Sequence, residues 1–470
     1  MASKKKLLQA AAGAAGGEAL DVSQVFRAHF HTGNSGTQNI VNGIDLAGEG
    51  GLIWSKCLDV AYHPGMVDTE RGVNKDLESS SASAEETRTG SNVHVTAFNS
   101  DGFSLGQDAA SSKFNNNTRE YITWTFRKAK RFFDIVTWTG NGVNGRTISH
   151  NLGSVPGMII VKRLDATENF IVYHRGMSTS APENYAMFLN SDAARSTESY
   201  WNNAAPTSTG FQVSNNVKMN GSSGQTYVAY LFAHNNGDGT FGPDQDQDII
   251  SCGSFTGTSG GTALINLGWE PELVMYKRYD GTGYWFVVDQ RRCFTSKPPN
   301  NGQSAHLFWN KTNTQASLQY QIGLDSEGFR EDGLGAGVDF IYMAIRRGPL
   351  NQPEAGTEVF NASKFYGDGT TDNVINLGFP TDMIWGSRLV GDPIAWCDRV
   401  RGEDKQLYSY GRDAEGTGTD YCQFDSNIGP RIGYNGSGIN INSTDLSVKQ
   451  VFLIHFVIEE TALIELLLII

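Results

Sequence analysis

Three aspartates and their arginines are the first residues in this chain whose types and spacing could do chemistry. An Asp-x-x-Arg pair occurs as Asp68/Arg71, Asp289/Arg292 and Asp398/Arg401, and near Arg175 the aspartate position reads as Val172. A carboxylate beside a guanidinium serves catalysis only with a nucleophile or base that travels with it, and none recurs here. The pairs therefore predict turn-stabilising ion pairs at strand ends, exposed and each contributing about 0.2–1 kcal/mol. Asp238, Asp244, Asp246 and Asp248 supply oxygen ligands in type, but the EF-hand spacing and its twelfth-position glutamate are absent. They predict a solvated acidic linker.

Other motifs reduce to structure in the same way. The nine histidines form no HxxxH or HExxH. Gly257-Thr-Ser-Gly260 approaches a nucleophile elbow but sits in a predicted turn. Gly140-Asn-Gly142 and Gly367-Asp-Gly369 precede no helix and read as hairpin turns rather than phosphate loops. The five cysteines form no CxxC, so neither a zinc site nor a disulfide framework is expected. Trp54, Trp138, Trp285, Trp385 and Trp396 read as core or strand residues, whereas Trp201 and Trp309, in less regular segments, are the candidates for stacking on a sugar ring. No catalytic, cofactor-binding or metal-binding residue is assigned, and no enzyme activity is expected.

The elements that carry these residues recur. Leu52-Ile-Trp-Ser-Lys56, Met158-Ile-Ile-Val-Lys-Arg163, Leu273-Val-Met-Tyr-Lys-Arg278 and Met383-Ile-Trp-Gly-Ser-Arg388 each follow a Gly-rich turn and precede a second apolar run. Lys56, Lys162, Lys277 and Arg388 are expected at equivalent positions. A closing strand starts at Tyr121, Tyr227, Phe340 and Val451. Ser100-Asp-Gly-Phe103, Ser208-Thr-Gly-Phe211 and Ser326-Glu-Gly-Phe329 precede the first three of these strands; the glycine suits a tight turn and the phenylalanine a core. Short β-branched and aromatic runs, close turns and no sustained 3.6-residue period predict an all-β chain of four tandem antiparallel β-sandwich modules. A four-bladed propeller is the structural rival.

The expected division is an N-terminal docking arm over 1–24, module one over 25–131, module two with its acidic linker over 132–248, module three with its linker over 249–358, and module four with an apolar tail over 359–470. The 127–131 junction is expected to be rigid, the proline-containing 346–358 linker semi-rigid, and 235–248 the hinge. Lys4-Lys-Lys6 with the small residues behind it imitates a signal peptide, but Gln9 interrupts its weak apolar core. The apolar run 451–470 carries His455, Glu459, Glu460 and Glu465, which argue against membrane insertion. A net charge of −13 argues against nucleic-acid binding.

Several segments resemble a known family. MASKKKLLQAAAG at the start, Asn42 to Lys56, Asp68 to Gly72, Ala97 to Gly106 and Tyr342 to Pro349 are similar to repeat-containing virion structural proteins of marine phages, cyanobacterial ones among them, usually described as tail-fibre-like. The resemblance runs from the arm through module three and weakens in module four. It implies a virion protein made in the host cytoplasm: a tail fibre or receptor-binding appendage, with a head-decorating protein as first rival and a glycan-cleaving enzyme as second. It further implies a homotrimer, attachment to other virion proteins through the arm, and a host-surface glycan or protein as partner.

Overall fold

The computed structural model describes residues 20–90, 93–108, 112–259, 262–292, 303–319, 322–348 and 350, and in the last quarter 360–365, 373–375, 377, 381–388, 395–398, 405–408, 416–417, 422–423, 430–432 and 449–454. Its framework is antiparallel β structure. Module one defines the pattern, with β1 (Phe26–Thr32), β2 (Gln38–Val41), β3 (Gly51–Cys57), β4 (Gly65–Asp68), β5 (Lys75–Glu78), β6 (Glu86–Thr87), β7 (Val95–Asn99), β8 (Gly102–Leu105) and β9 (Glu120–Arg127). A six-stranded sheet runs β1-β9-β3-β4-β5-β6, and a three-stranded sheet runs β2-β8-β7. Three more six-stranded sheets repeat this order, built around the central strands Pro156–Arg163, Pro271–Arg278 and Met383–Arg388.

The central strand explains why its sequence reads as unbroken apolar residues. All seven residues of β3 are buried, because both faces of the large sheet are covered. One face packs on the small sheet: Ile53 and Val67 meet Ile40, Phe103 and Leu105 in a sandwich core. Val274, Tyr276, Phe329 and Tyr342 do the same in module three. On the opposite face, Leu52 and Trp54, Met158 and Ile160, and Leu273 and Met275 join one core continuous through modules one, two and three. Period-two alternation thus separates two cores rather than a core from water.

The Gly-Phe landmarks sit at matching places. Phe103, Phe211 and Phe329 pair with Ile40, Ile148 and Ile265 across the small sheet and are buried. The glycine before each lies against a backbone carbonyl. A Cβ on Gly102 would stand 1.9 Å from the Ile40 oxygen, and one on Gly328 2.0 Å from the Ile265 oxygen. Gly102→Ala and Gly328→Ala are each expected to lower stability by more than about 1 kcal/mol in urea titration, with Gly43→Ala as a control for strain without steric contact, since nothing lies within 4 Å of its Cβ.

Four expectations change. Residues 20–24, placed in the arm, belong to the fold: α1 (Val22–Val25) buries Val22 and Val25 behind an Asp21/Gln24 capping box. Asp21 also accepts from the Leu350 amide at 2.5 Å, tying the start of the three-module body to its end. Residues 1–19 lie outside the described residues. The acidic linker is packed rather than hinge-like. Phe241 is buried against Phe132, and Asp248 accepts from the Gly237 and Gly239 amides at 2.6 and 2.7 Å. Arg388 does not share the lysine position. Met383 faces Asp398 as Leu273 faces Asp289, so Ser387 matches Lys277 and Arg388 matches Arg278. Finally, Trp201 and Trp309 are buried at 1% and 0% exposure and offer no ring to a sugar. No helix among the described residues is long and apolar enough to cross a membrane.

Candidate functional site

Lys162 and Lys277 end the buried run of their strands, Lys56 is followed by one more buried residue, Cys57, and all three lysines are fully buried. A buried ammonium needs acceptors, and each lysine finds two carbonyls. One is six residues on in its own module: Tyr62 at 2.9 Å, Glu168 at 2.5 Å and Gly283 at 2.5 Å. The other belongs to a different module. Lys56 reaches Thr312 of module three at 3.0 Å, Lys162 reaches Ala82 of module one at 3.0 Å, and Lys277 reaches Asp192 of module two at 3.2 Å. Burial lowers all three ammonium groups to about 8.

A second bond runs the other way at every joint. The amides of Gln315, Glu85 and Arg195, each three residues beyond the lysine's acceptor, donate to the carbonyls of Leu58, Leu164 and Tyr279, each two residues beyond the lysine. The order one to three, two to one, three to two closes on itself. Modules one to three therefore form a ring with pseudo-threefold connectivity inside one chain.

The Asp-x-x-Arg pairs belong to the same device, and the expectation of exposed turn pairs is corrected. Asp68 and Arg71 have side chains 0% and 2% exposed and meet at 2.5 Å; Asp289 and Arg292 are equally buried and meet at 2.6 Å. Each aspartate also accepts from the closing strand of another module: the Tyr230 hydroxyl to Asp68 at 2.8 Å and the Trp124 indole to Asp289 at 3.2 Å. In module two the pairing Met158–His174 matches Leu52–Asp68, so His174 takes the aspartate's place and Met177 the arginine's. Arg175, aligned with the arginines from sequence, is exposed. His174 donates from Nε2 to the Tyr342 carbonyl of module three at 3.0 Å and accepts at Nδ1 from the Gly176 amide. Arg401 lies outside the described residues.

Module one holds one further buried cluster. His94 lies 3.0 Å from Asp76 and 2.9 Å from Asp108, and Lys113 lies 2.9 Å from Asp76. Burial alone would raise the Asp76 carboxyl, but His94, Lys113 and Arg88 hold it down at about 2, and the two carboxylates raise His94. Asp108 spends its oxygens on the amides of Ser112, Phe114 and Asn115, which makes the cluster a loop anchor. The linker aspartates do not converge. Among the described residues no group of three or more His, Cys, Asp or Glu side chains could hold a metal ion. Cys57, Cys252 and Cys397 are free and buried.

A family model described as a domain of unknown function (DUF7483) matches residues 21–349. The chain belongs to the DUF7483 family. No curated protein and no solved structure matches it. The DUF7483 match begins at Asp21 and ends one residue before Leu350, the pair that joins the two ends of the ring. Module four, with Ser387 in the lysine position, lies beyond it.

The buried histidines give the ring an acid limit. Burial depresses His31 to about 4 and His174 to about 3, so the folded chain refuses protons that the unfolded chain takes up below about 6.5. Their stabilising effect is complete above that value and is lost as pH falls toward 4 and then 3. Asp76, depressed from 3.8, adds a further loss as pH falls toward 2, whereas raised His94 changes nothing below 6.5. Thermal melting should drop steeply between pH 6 and 3, a change on the order of a few kcal/mol. His174→Gln should make that drop shallower throughout, most clearly between pH 4 and 3, where His31 is already protonated.

Proposed function

We propose that this chain is a structural protein of a phage virion, most directly a tail fibre or receptor-binding appendage. Its DUF7483 ring serves as the rigid body, and residues 1–19 attach it to the particle. The observation that carries the reading is the cyclic set of joints. The buried ammonium, carboxylate and guanidinium groups that could have served catalysis are spent on carbonyls and side chains of neighbouring modules. A chain organised in this way is built to hold a shape and present a surface. The resemblance of Asn42 to Lys56, Asp68 to Gly72 and Tyr342 to Pro349 to virion proteins of marine phages supports the same reading. Three such chains assembling together would give a fibre-like homotrimer.

Antibodies raised against the ring test the proposal by labelling intact particles. Gold at the tail and loss of host adsorption are the expected results. Gold over the head would favour a decorating protein, and purified particles lacking the chain would overturn a virion role. Deleting residues 1–19 should leave soluble chains that no longer enter particles; incorporation at the normal copy number would show that attachment uses a module surface instead.

A further inference from the structure

We infer that the joint between modules two and three carries a binding cleft for a neutral pyranose sugar, with Tyr284 and Arg278 as its principal contacts. The inference deepens the reading of the chain as a host-recognition appendage and rests on it for the source of the sugar, a cell-surface glycan.

The pseudo-threefold arrangement separates what every joint needs from what one joint adds. Every joint needs the lysine and its carbonyls. The residue after the lysine is Cys57, Arg163 or Arg278, and the residue after the local acceptor is His63, Asn169 or Tyr284. Only the two–three joint combines an arginine with an aromatic ring at these places. Tyr284 is 39% exposed, which nothing in the lysine staple explains.

These residues border a cleft of about 380 Å³, with Asp192 of module two on one side and module three on the other. That volume falls within the ~300–1,000 Å³ of small-ligand sites. Phe286, Phe340, Leu334 and Val338 supply an apolar lining; Arg278, Asp192 and Thr282 supply donors and acceptors. Asp280 holds the Arg278 Nε at 2.7 Å and fixes its guanidinium plane. An apolar floor with aromatic rings, edged by a few hydrogen-bonding groups, matches a pyranose, which has a C–H face and a rim of hydroxyls.

Charge argues for a neutral ligand. Arg278 is offset by Asp280, and Lys311, 4.5 Å from the Tyr284 ring centroid, lies 4.0 Å from Asp192. An anion such as a phosphate would meet Asp192, and a cation would meet Arg278 and Lys311. A hydroxylated neutral ring uses both signs.

The test is saturation-transfer NMR of the full chain with maltotetraose, cellotetraose and chitotetraose, alongside adsorption of the chain to host cells. At least one tetrasaccharide should bind. Tyr284→Ala and Arg278→Ala should each weaken it tenfold or more. Tyr284→Phe, which keeps the ring, should bind within threefold of the parent, and Asn169→Ala, at the matching place of the one–two joint, should change nothing. If none of the three sugars binds, or Tyr284→Ala binds like the parent, the cleft proposal is wrong. Adsorption to cells without tetrasaccharide binding would overturn the cleft and leave the appendage reading standing. Sugar binding lost with Tyr284, in a chain that ignores host cells, would support the cleft and overturn that reading.

Discussion

Lys56→Met should destabilise the ring by about 3 kcal/mol or more, because it strips the donor from two buried carbonyls at ~1–3 kcal/mol each. Methionine preserves most of the apolar stem, so the loss reports the ammonium rather than a cavity. Lys56 is the informative member of the three. Modules one and two are joined directly through residues 127–131, and two and three through the packed 235–248 linker, but one and three meet only through contacts such as the Lys56–Thr312 bond. Hydrogen exchange should therefore rise at the Leu58–Gln315 pairing, while amides of strand Thr226–Ala233 in module two stay protected. A loss below about 1 kcal/mol would mean that water or another donor already serves those carbonyls. The same argument predicts that Lys162→Met and Lys277→Met cost less in ring closure, since the chain itself holds those modules together.

The modules were legible because they repeat, and the ring was not. A strand buried on both faces has to be apolar throughout, so each central strand stood out from sequence, as did the Gly-Phe turn, where at Gly102 and Gly328 a Cβ would stand 1.9 and 2.0 Å from a backbone carbonyl oxygen. The partners of the lysines are backbone carbonyls of residues as unlike as Thr312, Ala82 and Asp192, and carbonyls leave no trace in residue type. Two errors of register differ in kind. The Arg388 slip is one residue on the central strand, whereas the Arg175 slip is two residues on the next strand and the turn after it, which keeps the face. Lys-Arg doublets at 162–163 and 277–278 make Arg388 look like a lysine equivalent, and Arg175 looks like a partner for a missing aspartate. A shift of one residue on a strand exchanges its two faces, and the central strand is apolar on both, so hydrophobic pattern cannot correct the Arg388 slip. His174 in the aspartate's place could have been found only by counting back from the pairing with Met158. Trp309 was misjudged for a related reason. Its segment is irregular because it belongs to a joint, and joints here are interior.

Trp309 is also where the largest single loss is expected. Its ring stacks on Trp54 of module one, with centroids 4.1 Å apart and planes 19° apart, and meets Trp124 edge-on at 6.2 Å. Its carbonyl accepts from the Ser79 hydroxyl at 2.6 Å. The joint that lacks a direct chain connection is thus the one filled by three indoles. Trp309→Ala should cost about 3–5 kcal/mol, the range for truncating a buried aromatic that leaves a cavity. Trp309→Phe should recover part of it by keeping a stacked ring. The double mutant with Trp54→Ala decides whether the pair acts as a unit: the two losses should fall short of additive by about 0.5–1.5 kcal/mol, the share that belongs to the stacking itself. Strict additivity would make the two indoles independent fillers of one core. A coupled pair, with the Lys56 bond beside it, makes the three–one joint the place where modules one to three become a single cooperative body, and chemical denaturation of the parent should then show one transition for all three.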